Sequence, residues 1–86
     1  MDVKYYIKVT YRKYKELAKL ECVNNVQLLS KKEIIVSIKP EYTQGALTTR
    51  EGDYLVQFKT GNWQRFGTEA FTRLNIKPST IRGADS

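Results

Sequence analysis

Hydrophobic and polar positions alternate over residues 3–11, VKYYIKVTY. Val3, Tyr5, Ile7, Val9 and Tyr11 fall on one side, and Lys4, Tyr6, Lys8 and Thr10 on the other. Period two with β-branched and aromatic residues predicts a half-buried strand, and Arg12 continues the polar row. From residue 13 the period changes. In KYKELAKLEC, Tyr14, Leu17, Ala18 and Cys22 keep helical spacing while Lys15, Glu16, Lys19 and Glu21 can face water. Asn24-Asn25 reads as the helix stop, because Asn tolerates the left-handed cap conformation. Residues 26–29 read as a short strand or an irregular approach, and Ser30-Lys31-Lys32 as a polar turn. The strongest strand is 33–39, EIIVSIK, with Ile34, Val36 and Ile38 on one row and Ile35 and Ser37 on the other. Apolar residues on both rows predict a central position. Pro40 ends it, and residues 42–49 read as a further strand with Gly45 as a bulge or close-approach point.

The densest turn signals lie in residues 51–74, EGDYLVQFKTGNWQRFGTEAFTRL. Gly52 can supply a positive φ in the loop 50–53. Residues 54–58 and 63–66 are strand-like, and the turn between them carries Gly61-Asn62, a hairpin signal. Thr68 is placed to cap a short helix, with Glu69 in its first turn and Ala70, Phe71 and Leu74 on its apolar side. That helix is expected to end between Asn75 and Lys77, before Pro78. The expectation is an α+β fold: a four- to five-stranded, mainly antiparallel sheet with one short helix after the first strand and one at the C-terminus. Residues 1–76 form the domain, and 77–86, lacking periodicity, are expected to be a flexible tail.

Gly52-Asp53-Tyr54, then Gly61-Asn62-Trp63, then Phe71 in a closing helix resembles the PGDYG-like hairpin–helix motif of small proteins from tailed phages and prophages. The elements ahead of the motif also come in similar order, so the resemblance covers most of residues 3–74. Glu51 stands where many members have Pro, Asn62 where they have an acidic residue, Gln64-Arg65 where they have Tyr-Pro, and Leu74 in place of a terminal Tyr. The resemblance implies fold and phage origin, and no activity. The motif residues also have a purely structural account: turn geometry for Gly52, Asp53 and Gly61, and core packing for Tyr54, Trp63 and Phe71.

Composition narrows the chemistry. The chain has 86 residues, enough for one domain, and 41% hydrophobic residues, enough for one modest core. Histidine is absent, which excludes Ser-His-Asp and Cys-His arrangements and the commonest metal ligand. Cys22 is the single cysteine, so neither an intrachain disulfide nor a cysteine zinc site can form, and a lone cysteine is usually a small buried hydrophobe. No phosphate-binding glycine motif occurs. A non-catalytic protein without cofactor or metal is expected, with no membrane segment and a cytoplasmic location in an infected or lysogenic bacterial cell.

Charge points to the partner. Fifteen Lys and Arg against nine Asp and Glu give +6. Residues 1–19 hold six basic side chains against Asp2 and Glu16, a net of +4, while 20–49 balance. A basic excess favours phosphate, nucleic acid or an acidic protein surface, and serves solubility equally well. The candidate binding residues are Lys4, Tyr6, Lys8 and Arg12 on the polar row, with Lys13 and Lys15 nearby. Trp63 and Arg65 on the returning hairpin strand complete the set. Cations beside an exposed ring on a sheet suit single-stranded nucleic acid; a lysine-guarded edge strand is the structural alternative. Three functions follow as expectations. The first is a phage accessory protein that binds and blocks a host protein or nucleoprotein, in host takeover or anti-defence. The second is an RNA or single-stranded DNA binder using the basic, Tyr-containing face. The third is a sponge for an anionic nucleotide. A homodimer is also open, since an exposed strand edge can pair.

Overall fold

The alternating segments become strands, and the two helical stretches become short helices. The computed structural model describes residues 3–43 and 47–74, together with the backbone of 81–82. The strands are β1 (Val3–Lys8), β2 (Val23–Leu29), β3 (Glu33–Ile38), β4 (Leu47–Arg50), β5 (Tyr54–Phe58), β6 (Trp63–Phe66) and β7 (Ile81–Arg82); the helices are α1 (Tyr14–Lys19) and α2 (Thr68–Thr72). The α+β class holds, with one helix after the first strand and one after the last hairpin. The strands divide between two sheets, ordered β6-β5-β1-β7 and β2-β3-β4. Every pairing is antiparallel except that of β1 with β7.

The main core lies between the two sheets and under α1. Ile7 and Val9 from β1 and its extension, Leu55 from β5 and Trp63 from β6 meet Val23, Ile34, Val36 and Ile38 of the second sheet, with Leu17 and Cys22. A six-residue helix such as α1 is not stable alone. Full burial of Leu17, worth about 1.5–3 kcal/mol, ties it to the core. A smaller core covers the opposite face of the first sheet, where Val3, Val56 and Phe58 pack with Tyr6, Tyr54, Phe66, Phe71 and Leu74. Phe71 of α2 stacks on Tyr54 with ring centroids 3.8 Å apart and planes 5° from parallel. The first sheet is therefore covered on both faces.

The turn glycines act as expected. Gly52 has φ 92° and Gly61 φ 97°. The β5–β6 hairpin closes through the Gly61 N–H to the Phe58 carbonyl at 2.8 Å and the Phe58 N–H to the Asn62 carbonyl at 2.9 Å. The turn between β4 and β5 ties the two sheets together. Gly52 N–H donates to the Val9 carbonyl at 2.8 Å, Val9 N–H to the Asp53 carbonyl at 2.7 Å, and Glu51 N–H to the Ile34 carbonyl at 3.1 Å.

Several boundaries differ from expectation. In β1 the register shifts between Val3, opposite Phe58, and Tyr5, opposite Gln57, so two residues span one partner step. That bulge moves Val3 to the face of Tyr6 and breaks the single polar row that included Lys4 and Tyr6. Arg12 leaves the row as well, because Tyr11–Lys13 is a 3-10 turn. Asn24 and Asn25 do not cap α1. After Leu20 the chain makes a turn at Glu21-Cys22, closed by the Val23 N–H to the Leu20 carbonyl at 3.0 Å, and both asparagines lie in β2, held there by burial of Cys22 and Val23. Thr68 is the first residue of α2, and the N-cap is Gly67. Pro40–Tyr42 is a 3-10 turn and β4 begins at Leu47, so the proposed Gly45 bulge lies outside the described residues. The same is true of the expected end of α2 near Asn75–Lys77 and of most of the expected tail. Within that tail Ile81–Arg82 pairs in parallel with Tyr5 and Tyr6 of β1. A two-residue strand is too short to show periodicity.

Candidate functional site

The N-terminal cations separate into two surroundings. Beyond β1 the chain turns at Tyr11–Lys13, because Tyr11 N–H donates to Glu51 Oε1 at 2.8 Å and Lys13 N–H to the Thr10 carbonyl at 3.0 Å. The Glu51 N–H bond to Ile34 brings the start of β3, and the β2–β3 turn before it, to the same corner. The result is a cleft of about 360 Å³ lined by Lys8, Thr10, Tyr11, Arg12, Lys13, Lys32 and Glu51. Four cations face one carboxylate, and that carboxylate already accepts the Tyr11 N–H. A concave wall with an excess of positive charge concentrates the field and favours an anion.

The cleft has two further features. Thr10, one of the lining residues, has its Oγ1 buried with no hydrogen-bond partner among the described residues, a situation that costs about 1–3 kcal/mol. Lys31 and Lys32 sit at φ 65° and 58°. The left-handed region disfavours residues with a Cβ by about 1–2 kcal/mol each, and the turn has no glycine to relieve it. Lys32 is thus held toward the cleft at a conformational cost. Lys13 is buried in the cleft wall, 6% exposed.

Of the candidate residues, Lys8, Arg12 and Lys13 come together here. Lys8 also lies 5.8 Å from the centre of the Tyr54 ring. Tyr6 is not an exposed platform: it is half-buried with its ring centre 5.0 Å from that of Phe71. Lys15 is on α1, 5.9 Å from the Tyr14 ring and away from the cleft lining. Arg65 pairs with Asp53 at 3.2 Å; Asp53 Oδ2 also accepts the Arg50 N–H at 3.0 Å and so organises the β4–β5 turn. Lys4 lines a second, more apolar groove of about 210 Å³ with Tyr5, Leu20, Glu21, Gln57 and Trp63. Trp63 is a core residue, 4% exposed, in an edge-to-face arrangement with Tyr5, ring centroids 5.7 Å apart. Its Nε1 is buried with no hydrogen-bond partner among the described residues.

Lys32 and Glu51 were absent from the candidates drawn from sequence. The only local sign of Lys32 was a lysine pair in a hairpin turn lacking Gly, Asn or Asp. Its position beside Arg12 depends on how the sheets pack. Burial raises the Tyr5 hydroxyl above its ordinary value, with smaller contributions from Glu16 and Cys22. Burial likewise pushes the Cys22 thiol up to about 12, which makes it a poor nucleophile. Among the described residues there is no cluster of three or more acidic or cysteine side chains able to hold a metal ion, and no helix long and apolar enough to cross a membrane.

Comparison of the chain with protein-family models, curated proteins and solved structures finds no match in any of the three. The functional reading therefore rests on the residues and their geometry.

Proposed function

We propose that the protein is a non-catalytic binding domain whose basic cleft holds a phosphate-bearing nucleotide. The observation that carries this reading is the convergence of Lys8, Arg12, Lys13 and Lys32 on one concavity of about 360 Å³, within the size range of small-molecule sites. Arg12 offers a planar fork for phosphate oxygens, the lysines supply point charges, and Tyr11 gives a ring at the wall. Given the resemblance to small phage proteins, such a domain would act as a sponge that withdraws a nucleotide from the host cell. The other two expectations leaned in part on Tyr6 and Trp63 as exposed rings, whereas the phosphate-binding part of the nucleotide reading needs only the cations. Tyr6 lies under Phe71 and Trp63 lies in the core.

Titration calorimetry with ATP, inorganic phosphate, adenosine and a short single-stranded DNA tests the proposal. ATP should bind at least about tenfold more tightly than adenosine, and Arg12→Glu should reduce ATP affinity by at least about tenfold, as expected for loss of charge-assisted bonds. Equal binding of adenosine and ATP, or no response to Arg12→Glu, would refute the cleft as an anion site. Much tighter binding of the DNA than of ATP would replace the nucleotide with nucleic acid.

A further inference from the structure

The basic cleft is rich in cations and poor in oxygen ligands. Lys8, Arg12, Lys13 and Lys32 line it with one carboxylate, Glu51. Even with the buried Lys13 left out, Lys8, Arg12 and Lys32 stand against that single acid, and Arg12 and Lys32 are exposed to an incoming ligand. The other side-chain oxygens of the lining belong to Thr10 and Tyr11. Thr10 Oγ1 is buried, and a neutral phenol is no substitute for the carboxylates that magnesium takes from proteins beside substrate phosphates. Glu51 is itself engaged. Its Oε1 accepts the Tyr11 N–H at 2.8 Å, at the start of the turn that carries Arg12.

A nucleoside triphosphate exists in two forms. The free form has its charge crowded on the phosphate tail; in the other, a magnesium ion bridges phosphate oxygens and cancels about half of that charge. The two forms ask for opposite walls. The magnesium form is served by an acidic side chain that steadies the ion and its waters, whereas the free form needs only cations. A dication seated in this cleft would lie against Lys8, Arg12 and Lys32, and a concave wall strengthens that repulsion. We infer that the cleft selects metal-free polyphosphate: it takes ligands with adjoining, unmasked phosphates, and magnesium competes with the protein for them. The free magnesium concentration therefore sets how much ligand the protein holds. This inference rests on the proposed anion site and adds the ionic form of its ligand.

Titration calorimetry with AMP, ADP and ATP, each in EDTA and in excess magnesium chloride at matched ionic strength, tests it. In EDTA, affinity should rise from AMP to ADP to ATP by at least about threefold per phosphate. Magnesium should weaken ATP binding by about tenfold, while AMP, which holds magnesium poorly, changes by less than about twofold. Lys32→Gln should narrow the gap between free and magnesium-bound ATP by about threefold, since it removes one cation that rewards the unmasked charge. The anion site and its preference for the free form fail separately. ATP that does not bind in EDTA, or binds equally well to Arg12→Glu, removes the site and the preference together. ATP binding that Arg12→Glu weakens but magnesium leaves unchanged or strengthens overturns the preference alone, and loss of that strengthening in Glu51→Gln would identify the carboxylate as a metal ligand instead. Equal affinity for AMP and ATP in EDTA, or equal weakening of both by magnesium, also overturns it.

Discussion

Replacing Lys32 with glycine should make the protein more stable and worse at binding. Lys32 has φ 58° in a turn without glycine, a conformation that costs about 1–2 kcal/mol for a residue with a Cβ. Glycine removes that cost but adds freedom to the unfolded chain, about 0.5–1 kcal/mol in the other direction. The net gain is about 0.5–1 kcal/mol, which for a domain of this size is a rise in melting temperature of about 2–8 °C. The same change takes one of four cations from the cleft. Losing one partly screened charge contact should weaken ATP binding by roughly fivefold, about 1 kcal/mol. Lys31→Gly is the control. Lys31 has φ 65° but is not part of the cleft lining, so it should gain similar stability without losing ATP affinity. Scanning calorimetry at low protein concentration and titration calorimetry give the two readouts. The reasoning fails if Lys32→Gly lowers the melting temperature, or if both glycine variants weaken ATP binding equally.

Glu51→Gln should raise ATP affinity by about threefold while leaving stability nearly unchanged, because the amide oxygen still accepts the Tyr11 N–H as the negative charge leaves the cleft; Glu51→Ala should gain the affinity but lower stability in urea titration by about 1 kcal/mol. Phe71→Ala should cost about 2–3 kcal/mol in urea titration, somewhat less than truncation of a fully buried ring, through loss of its stack on Tyr54 and its contact with Tyr6. Stability should also fall as pH rises above about 9. The Cys22 thiol is raised from 9.0 to about 12 in the fold, so over that window the unfolded chain has lost a proton that the folded chain retains, and unfolding is favoured. Tyr5 is shifted in the same direction. Cys22→Ala should flatten the alkaline slope of a pH series of urea midpoints, and an unchanged slope would remove the thiol from the account.

The stretch 51–74 was the most legible part of the chain because its signals are local. Positive φ at Gly52 and Gly61, the Asp53 side chain in the β4–β5 turn and the rings of Tyr54 and Phe71 each follow from residue chemistry over a few positions. The central place of β3 was legible for the same reason, from apolar residues on both rows. The candidate site was half legible. Lys8, Arg12 and Lys13 are close in sequence and also meet in space, but Tyr6 turned from a presumed platform into a core contact. That reversal comes from the bulge at Lys4 and from α2 folding over the same face. Neither leaves a mark in the alternation of VKYYIKVTY. Lys32 joins the cleft through backbone bonds linking residues 34, 51, 52 and 9, a tertiary arrangement that no window of sequence contains. β2 was half missed because Asn24-Asn25 has poor strand propensity, and burial of Cys22 and Val23 overrides it.

β1 lies between β5 and β7, so the first strand of the chain is zipped to residues near 55 and again to residues near 81. Few of its partners are near in sequence. The first sheet closes only when these distant segments reach β1, across 76 positions between Tyr5 and Ile81. Such topologies fold slowly, because the loop entropy is lost before the distant contacts form. The β2–β3 hairpin and the β5–β6 hairpin involve only neighbouring residues and can form first. The two hairpins are therefore expected to assemble early and β1 late.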